Sequence, residues 1–164
     1  MTAHTMRRAD RARTEAFARR LAADAPYGML VTASKDGVPY AVPVSPAIEG
    51  NAIYFHGARN VGRKLENIDA NAHVSMVFVG PTEVDEPGFS VNYSSAIFEG
   101  RAVRLTDETE RMHGFWVIAS RWCPSQGPNV RADYMKAFAA GADVWRIDIE
   151  NVSAKARGVE ENID

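Results

Sequence analysis

The sequence predicts a mainly β protein with accessory helices, its six strands forming a small closed or partly closed antiparallel barrel. Three observations carry that prediction. Short segments between Met29 and Leu105 alternate apolar and polar residues with period two, as strands with one buried face do. Glycines and prolines fall between those segments, where a barrel turns its corners. The first three strands follow one another without the intervening helices that a parallel, doubly wound sheet requires.

Residues 1–27 are expected to hold an N-terminal helix. From Met6 to Ala25 the chain is rich in Ala and Arg and contains no Gly or Pro, and Phe17 and Leu21 stand one turn apart. Pro26 and Gly28 end the helix. Asp10, Glu15 and Asp24 interrupt its basic face, which reads as a solvated face of a docking or capping helix. The barrel core is assigned to residues 28–105. Met29 to Ser34 reads as a strand, Lys35-Asp36-Gly37 as a turn, and Val38 to Ile48 as a second strand. Pro39, Pro43 and Pro46 remove ladder donors from that strand and leave one side of it unpaired. After a turn at Glu49-Gly50-Asn51, residues Ala52 to His56 form a third strand, Ile53 and Phe55 on one face and Tyr54 and His56 on the other.

Val61, Leu65 and Ile68 recur at helical spacing between Asn60 and Asn71, with Asn60 as the expected N-cap. Val74 to Val79 reads as a buried strand and Pro81 to Gly88 as an exposed acidic loop. Ser90 to Leu105 is a long fifth strand in which Gly100 marks a bulge or bend. A helical insertion follows over residues 106–141. Thr106 is the expected cap of a helix reaching Trp122, the loop Cys123 to Pro128 breaks the chain, and a shorter helix spans Val130 to Ala140. Residues 142–164 supply the last strand, Val144 to Ile149, and a tail.

Composition narrows the function classes. Nineteen Lys and Arg against 21 Asp and Glu, a formal charge of −2, give no global electrostatic reason to bind nucleic acid or acidic membranes. No segment has the length of a membrane span or the apolar run of a signal peptide, so a soluble, cytoplasmic protein of one domain is expected. Cys123 is the single cysteine, which excludes an intramolecular disulfide and a Cys-x-x-Cys pair. His4, His73 and His113 have no metal-ligand spacing, and neither a nucleophile elbow nor a P-loop is present, so no metal site is expected.

The most informative stretch is Tyr54-Phe55-His56-Gly57-Ala58-Arg59-Asn60-Val61-Gly62-Arg63-Lys64, a strand running through glycines into a helix. Arg59, Arg63 and Lys64 crowd a helix N-terminus that already carries partial positive charge. An anion would offset them, and free N–H groups beside cationic side chains suit a phosphate. Pairing with Glu66, Asp69 or the acidic loop is the alternative. His56 closes the third strand beside this turn, and spacing alone leaves it between a structural histidine and a proton donor near neutral pH. Asn92-Tyr93-Ser94-Ser95 places polar groups among apolar neighbours, to be satisfied by cross-strand bonds or by a ligand. Trp145 reads as a core residue or as a stacking platform.

Taken in order, Pro39-Tyr40-Ala41-Val42-Pro43-Val44, Tyr54-Phe55-His56-Gly57-Ala58, Gly62-Arg63-Lys64-Leu65 and Tyr93-Ser94-Ser95-Ala96-Ile97 with Gly100-Arg101-Ala102 resemble the pyridoxamine 5'-phosphate oxidase-like flavin-binding split-barrel family. Within it the chain most resembles the Nim-type, or 5-nitroimidazole resistance-type, branch. The resemblance covers Leu30 to Leu105 well and the last strand loosely. It implies a six-stranded antiparallel split barrel of the FMN-binding type that homodimerises, with an FMN in each of two clefts at the interface. Pro43, Val44 and Ser45 would back the flavin ring, and His56, Gly57 and Ala58 would line its ring and ribityl side. Gly62, Arg63 and Lys64 would hold the phosphate, while Asn92, Tyr93, Ser94 and Ser95 add hydrogen bonds from either subunit. Trp145 is carried as a further cofactor contact, and His56 is the implied catalytic residue.

The expected function is therefore an FMN-dependent oxidoreductase that passes electrons from a nicotinamide donor to a small aromatic or nitroaromatic substrate. A non-catalytic flavin- or haem-binding sensor and a deazaflavin-dependent reductase are the alternatives. Trp145, Arg146, Lys155 and Arg157 give only a fragment of the C-terminal motif that pyridoxamine phosphate oxidation needs, so vitamin B6 synthesis is not expected.

Overall fold

The backbone stays extended wherever apolar residues alternate, and a computed structural model of the chain, which describes residues 6–158, shows how those strands are joined. In chain order they and the helices are β1 (Ala12–Arg13), α1 (Glu15–Asp24), β2 (Gly28–Ala33), β3 (Pro39–Val44), β4 (Ala47–Glu49), β5 (Ala52–Ala58), α2 (Arg63–Ala70), β6 (His73–Val79), β7 (Glu83–Asp85), β8 (Ser90–Arg104), α3 (Glu108–Trp122), α4 (Pro128–Phe138) and β9 (Ala142–Arg157). All pairings are antiparallel, and the main sheet runs β3-β2-β6-β8-β9-β5-β4. Its two ends, β3 and β4, are neighbours in the chain, joined only by Ser45 and Pro46. A sheet whose ends are tied so closely must curl on itself. The result is a barrel closed at the Ser45-Pro46 link and split between β3 and β5, the architecture that the sequence predicts.

The second strand departs from its expected form. Val38 to Ile48 is not one strand but two, because Pro46 breaks it, and the halves pair with opposite edges: β3 with β2, β4 with β5. Pro39 and Pro43 sit on β3, which among the described residues has no partner on its other side. Two short strands were not foreseen. β1 pairs with Ala154 and Lys155, and β7 turns part of the acidic loop into a hairpin with the start of β8. The last strand runs to Arg157, well past Ile149, because Val152, Ala154 and Ala156 continue the ladder with β8. Small alanines give that stretch little hydrophobic alternation.

Helix boundaries also move. The N-terminal helix is confined to α1, since Thr14 caps it by accepting from the Phe17 N–H at 3.2 Å and the residues before it pair with β9. Residues 1–5 and 159–164 of the predicted N-terminal and tail segments lie outside the described residues. Asp107, not Thr106, caps α3, its carboxylate accepting from the Glu110 N–H at 3.0 Å, because the Leu105 N–H still donates to Val144 and holds the chain on the sheet. Asn60 does not cap α2. Its side chain accepts from Arg104 at 2.6 Å and its N–H donates to Asp143, so the helix begins after Gly62, whose φ of 118° only glycine adopts readily.

Two apolar clusters follow from this layout. Leu30, Phe55, Met76, Phe78, Phe98 and Trp145 fill the barrel, which α1 covers with Phe17 and Leu21 and α2 with Leu65 and Ile68. Tyr54, Leu105, Phe115, Ile118, Met135 and Val144 form the second, between the outer face of β5 and β9 and the helices α3 and α4. Asn67, buried on α2, donates to Thr32 of β2 at 2.9 Å, which fixes the helix over the β2–β3 hairpin. Among the described residues no helix is long and apolar enough to cross a membrane.

Candidate functional site

The split brings the predicted residues into two lips and a base. Continuing the β4–β5 register, Ala47 opposite Tyr54, by two residues sets Ser45 against His56. From there the strands part, β3 toward β2 and β5 toward β9. Pro43, Val44 and Ser45 form one lip, with Val44 packed on the core and Pro43 and Ser45 exposed. His56, Gly57 and Ala58 form the other.

The first turn of α2 spans the gap. The Arg63 guanidinium lies 4.6 Å over the Tyr40 ring on β3, a cation–π contact. The Lys64 side chain lies along β5 at Gly57, where a Cβ would meet its Cε at 3.1 Å and its Nζ at 3.4 Å. Glycine is therefore what lets the lysine pass. Gly62 caps the helix without a side chain and has open space around it. The first amides of α2 have no intrahelical acceptor, so the helix presents free N–H groups beside two cations in its first turn.

Among the described residues neither Arg63 nor Lys64 has a carboxylate within 4 Å. Pairing with Glu66, Asp69 or the acidic loop is not what the structure shows. Arg59 does leave the cluster. It lies 3.5 Å from the buried carboxylate of Asp143, which Arg104 also grips. Burial pushes the Asp143 carboxyl up, but the Arg104 hydrogen bond, the Asn60 N–H and the charges of Arg104 and Arg59 outweigh it and hold the group below the usual carboxylate range.

His56 points away from Lys64's face of β5 and packs edge-on against Phe138 of α4, ring centroids 5.6 Å apart. Burial, with a lesser contribution from the Lys64 charge, pushes its pKa below 6.5. At neutral pH the imidazole is therefore uncharged, with one nitrogen to donate and one to accept. Ser45 and His56 together form the floor of a cavity of about 460 Å³ between β5 and the two helices.

Not every predicted residue joins this site. Asn92, Tyr93, Ser94 and Ser95 lie at the far end of β8, paired with the end of β9 while Arg104 at the other end faces Trp145. Ser94 is buried against Gly80, and Asn92 packs on Gly158. Trp145 is in the barrel core, 2% exposed and stacked on Phe55, its indole N–H without a hydrogen-bond partner among the described residues. Sequence reasoning missed the helical wall of the cavity. The signal was present: Val130, Tyr134 and Phe138 recur every four residues, and Phe115, Ile118 and Trp122 follow a helical spacing on α3.

The fold and the site define a split-barrel protein with a basic helix start at the mouth of the split. A family model described as pyridoxamine 5'-phosphate oxidase matches residues 14–156, and the chain belongs to that family. Solved structures carry the same fold at low identity. A protein assigned to 5-nitroimidazole antibiotic resistance in Bacteroides thetaiotaomicron is 18% identical, with a TM-score of 0.71 over 87% of this chain and 83% of its own. The flavocytochrome Anf3 of Azotobacter vinelandii is 18% identical, TM-score 0.72, over 98% and 77%. An FAD-binding protein of Mesorhizobium loti is 22% identical, TM-score 0.59, over 90% and 98%. A search of curated protein sequences found no match.

Proposed function

We propose that the chain binds FMN in the split between β3 and β5 and reduces a small aromatic or nitroaromatic substrate with electrons from a nicotinamide donor. One observation carries this reading: α2 presents Arg63, Lys64 and its first amides, none of them paired with a carboxylate, across the gap between the two lips. Such a cluster suits a phosphomonoester. FMN, when bound, supplies the hydride and electron transfer. Arg63 and Lys64 bind its phosphate, Gly57 gives the Lys64 side chain its path along β5, Gly62 leaves the backbone open to close approach, and Pro43 to Ser45 and Ala58 bound the ring. His56, neutral at pH 7, positions substrate or cofactor through a hydrogen bond and serves as proton donor where acid protonates it.

The chain acts as a homodimer in this reading. In it Asn92–Ser95 of one copy add hydrogen bonds to the cofactor held by the other. Val79 and Ile97, 54% and 37% exposed on β6 and β8, supply apolar surface for such contact. The absorption spectrum of the protein purified without added cofactor, repeated after loading with FMN and removing the excess, tests the proposal. A two-banded flavin spectrum with one FMN retained per subunit is expected. A haem band, or no retention of FMN, overturns it.

A further inference from the structure

The cavity above His56 has walls that the cofactor reading does not use. Phe115, Ile118 and Trp122 of α3 face Val130, Tyr134 and Phe138 of α4, and the lining is almost wholly apolar. The aromatic side chains are arranged for rings: Phe138 makes T-shaped contacts with Phe115 at 6.1 Å and with His56 at 5.6 Å and stacks on Tyr134 at 5.7 Å. A volume of about 460 Å³ lies in the range of small-molecule pockets.

The polar groups are few and uneven. Ser45 and His56 lie together on the floor, at the point where the split opens. Among the described residues Arg131 is the one cation in the lining, and its guanidinium is spread 4.8 Å over the Trp116 ring, with Nη1 directed at the Cys123 carbonyl oxygen at 3.5 Å and Nε buried without a partner. Among the described residues no acid lines the cavity to meet a positive charge. An anionic occupant would be desolvated against aromatic walls, with the Arg131 guanidinium already engaged by the Trp116 ring and the Cys123 carbonyl, whereas a neutral ring with an acceptor group would meet Ser45 and His56 at little cost.

We propose that the cavity between β5, α3 and α4 is a binding pocket for a neutral, planar aromatic molecule bearing a hydrogen-bond acceptor, and that it rejects carboxylate- and phosphate-bearing analogues. Its use as the substrate pocket rests on the flavin reading above; its binding preference does not. The preference also separates this chain from any role that needs a phosphorylated substrate held in the same pocket.

Cys123 lines the pocket and is the single thiol of the chain, so its alkylation by iodoacetamide reports occupancy without any cofactor. The probes are a matched pair, 4-nitrobenzyl alcohol and 4-nitrobenzoate, applied with and without FMN. The neutral compound is expected to bind one per subunit, at least tenfold tighter than the anion, and to slow alkylation at saturation. Ala119→Phe, which fills the pocket, should weaken binding at least tenfold. Tyr134→Ala, at a side chain 65% exposed and therefore safe for folding, should weaken it severalfold. Equal binding of the two probes, no protection of Cys123, or indifference to both substitutions overturns the pocket. A protein that retains no FMN but still binds the neutral probe with protection of Cys123 loses the flavin reading and keeps the pocket. One that retains FMN and binds neither probe keeps the flavin reading and loses the pocket.

Discussion

Lys64 lies over Gly57 without a carboxylate partner, so its charge is available to a ligand and its removal should cost the ligand more than the fold. Lys64→Ala is expected to weaken FMN binding at least tenfold, about 1.4 kcal/mol, with the urea midpoint nearly unchanged. Titration of FMN fluorescence quenching measures the first, and unchanged affinity would remove the phosphate assignment. His56 gives a pH signature. Its folded pKa lies below 6.5, so between the two values the unfolded chain binds more protons and stability rises with pH. The imidazole therefore costs the wild type stability as pH falls below 6.5, a loss that is complete once the pH is under the folded pKa. His56→Gln should lack this contribution, and the gap in unfolding free energy between wild type and variant should narrow from pH 7.5 to pH 5.5. A gap that stays constant would mean that His56 is not held neutral by burial.

At the scale of elements, β8 and β9 bend together at a register shift between Glu99 and Gly100, where a Cβ on Gly100 would stand 2.1 Å from the Asp148 carbonyl oxygen. Backbone cannot yield as a side chain can. Gly100→Ala is expected to destabilise the fold by about 3 kcal/mol, read as a lower denaturation midpoint with an unchanged slope. This bend was legible in the sequence because a lone glycine in an apolar strand has few other reasons to be there. The edge character of β3 was legible from Pro39 and Pro43, and the facing of β5 from its strict alternation. What escaped were features set by distant partners. Asn60 looks like a cap until Arg104 and Asp143 claim it, and Arg59 looks like part of the anion cluster until Asp143 takes its charge. The run from Val152 to Ala156 is a strand only because β8 lies beside it. The helical wall of the cavity carried a readable period, but nothing local distinguishes a face that lines a pocket from one that packs in a core.

For the whole molecule, the decisive question is whether one chain holds a complete site. In the homodimer proposed above, Lys64 of one copy and Asn92–Ser95 of the other contribute to one cofactor site. That arrangement predicts complementation between defective subunits. In Lys64→Ala and Ser95→Ala homodimers, every site carries a lesion and FMN binds weakly. In a purified heterodimer of the two, shared sites sort the lesions unequally: one cleft carries both and the other carries neither. Half of the FMN stoichiometry should then return at wild-type affinity. If each cleft were built within a single chain, both clefts of the heterodimer would keep one lesion apiece, and no tight site would return. Titrating the heterodimer, tagged differently on its two chains for purification, separates the cases by counting tight sites per dimer: one for a shared cleft, none for a private one. Counting is decisive because partial loss of affinity in either parent alters both arms equally.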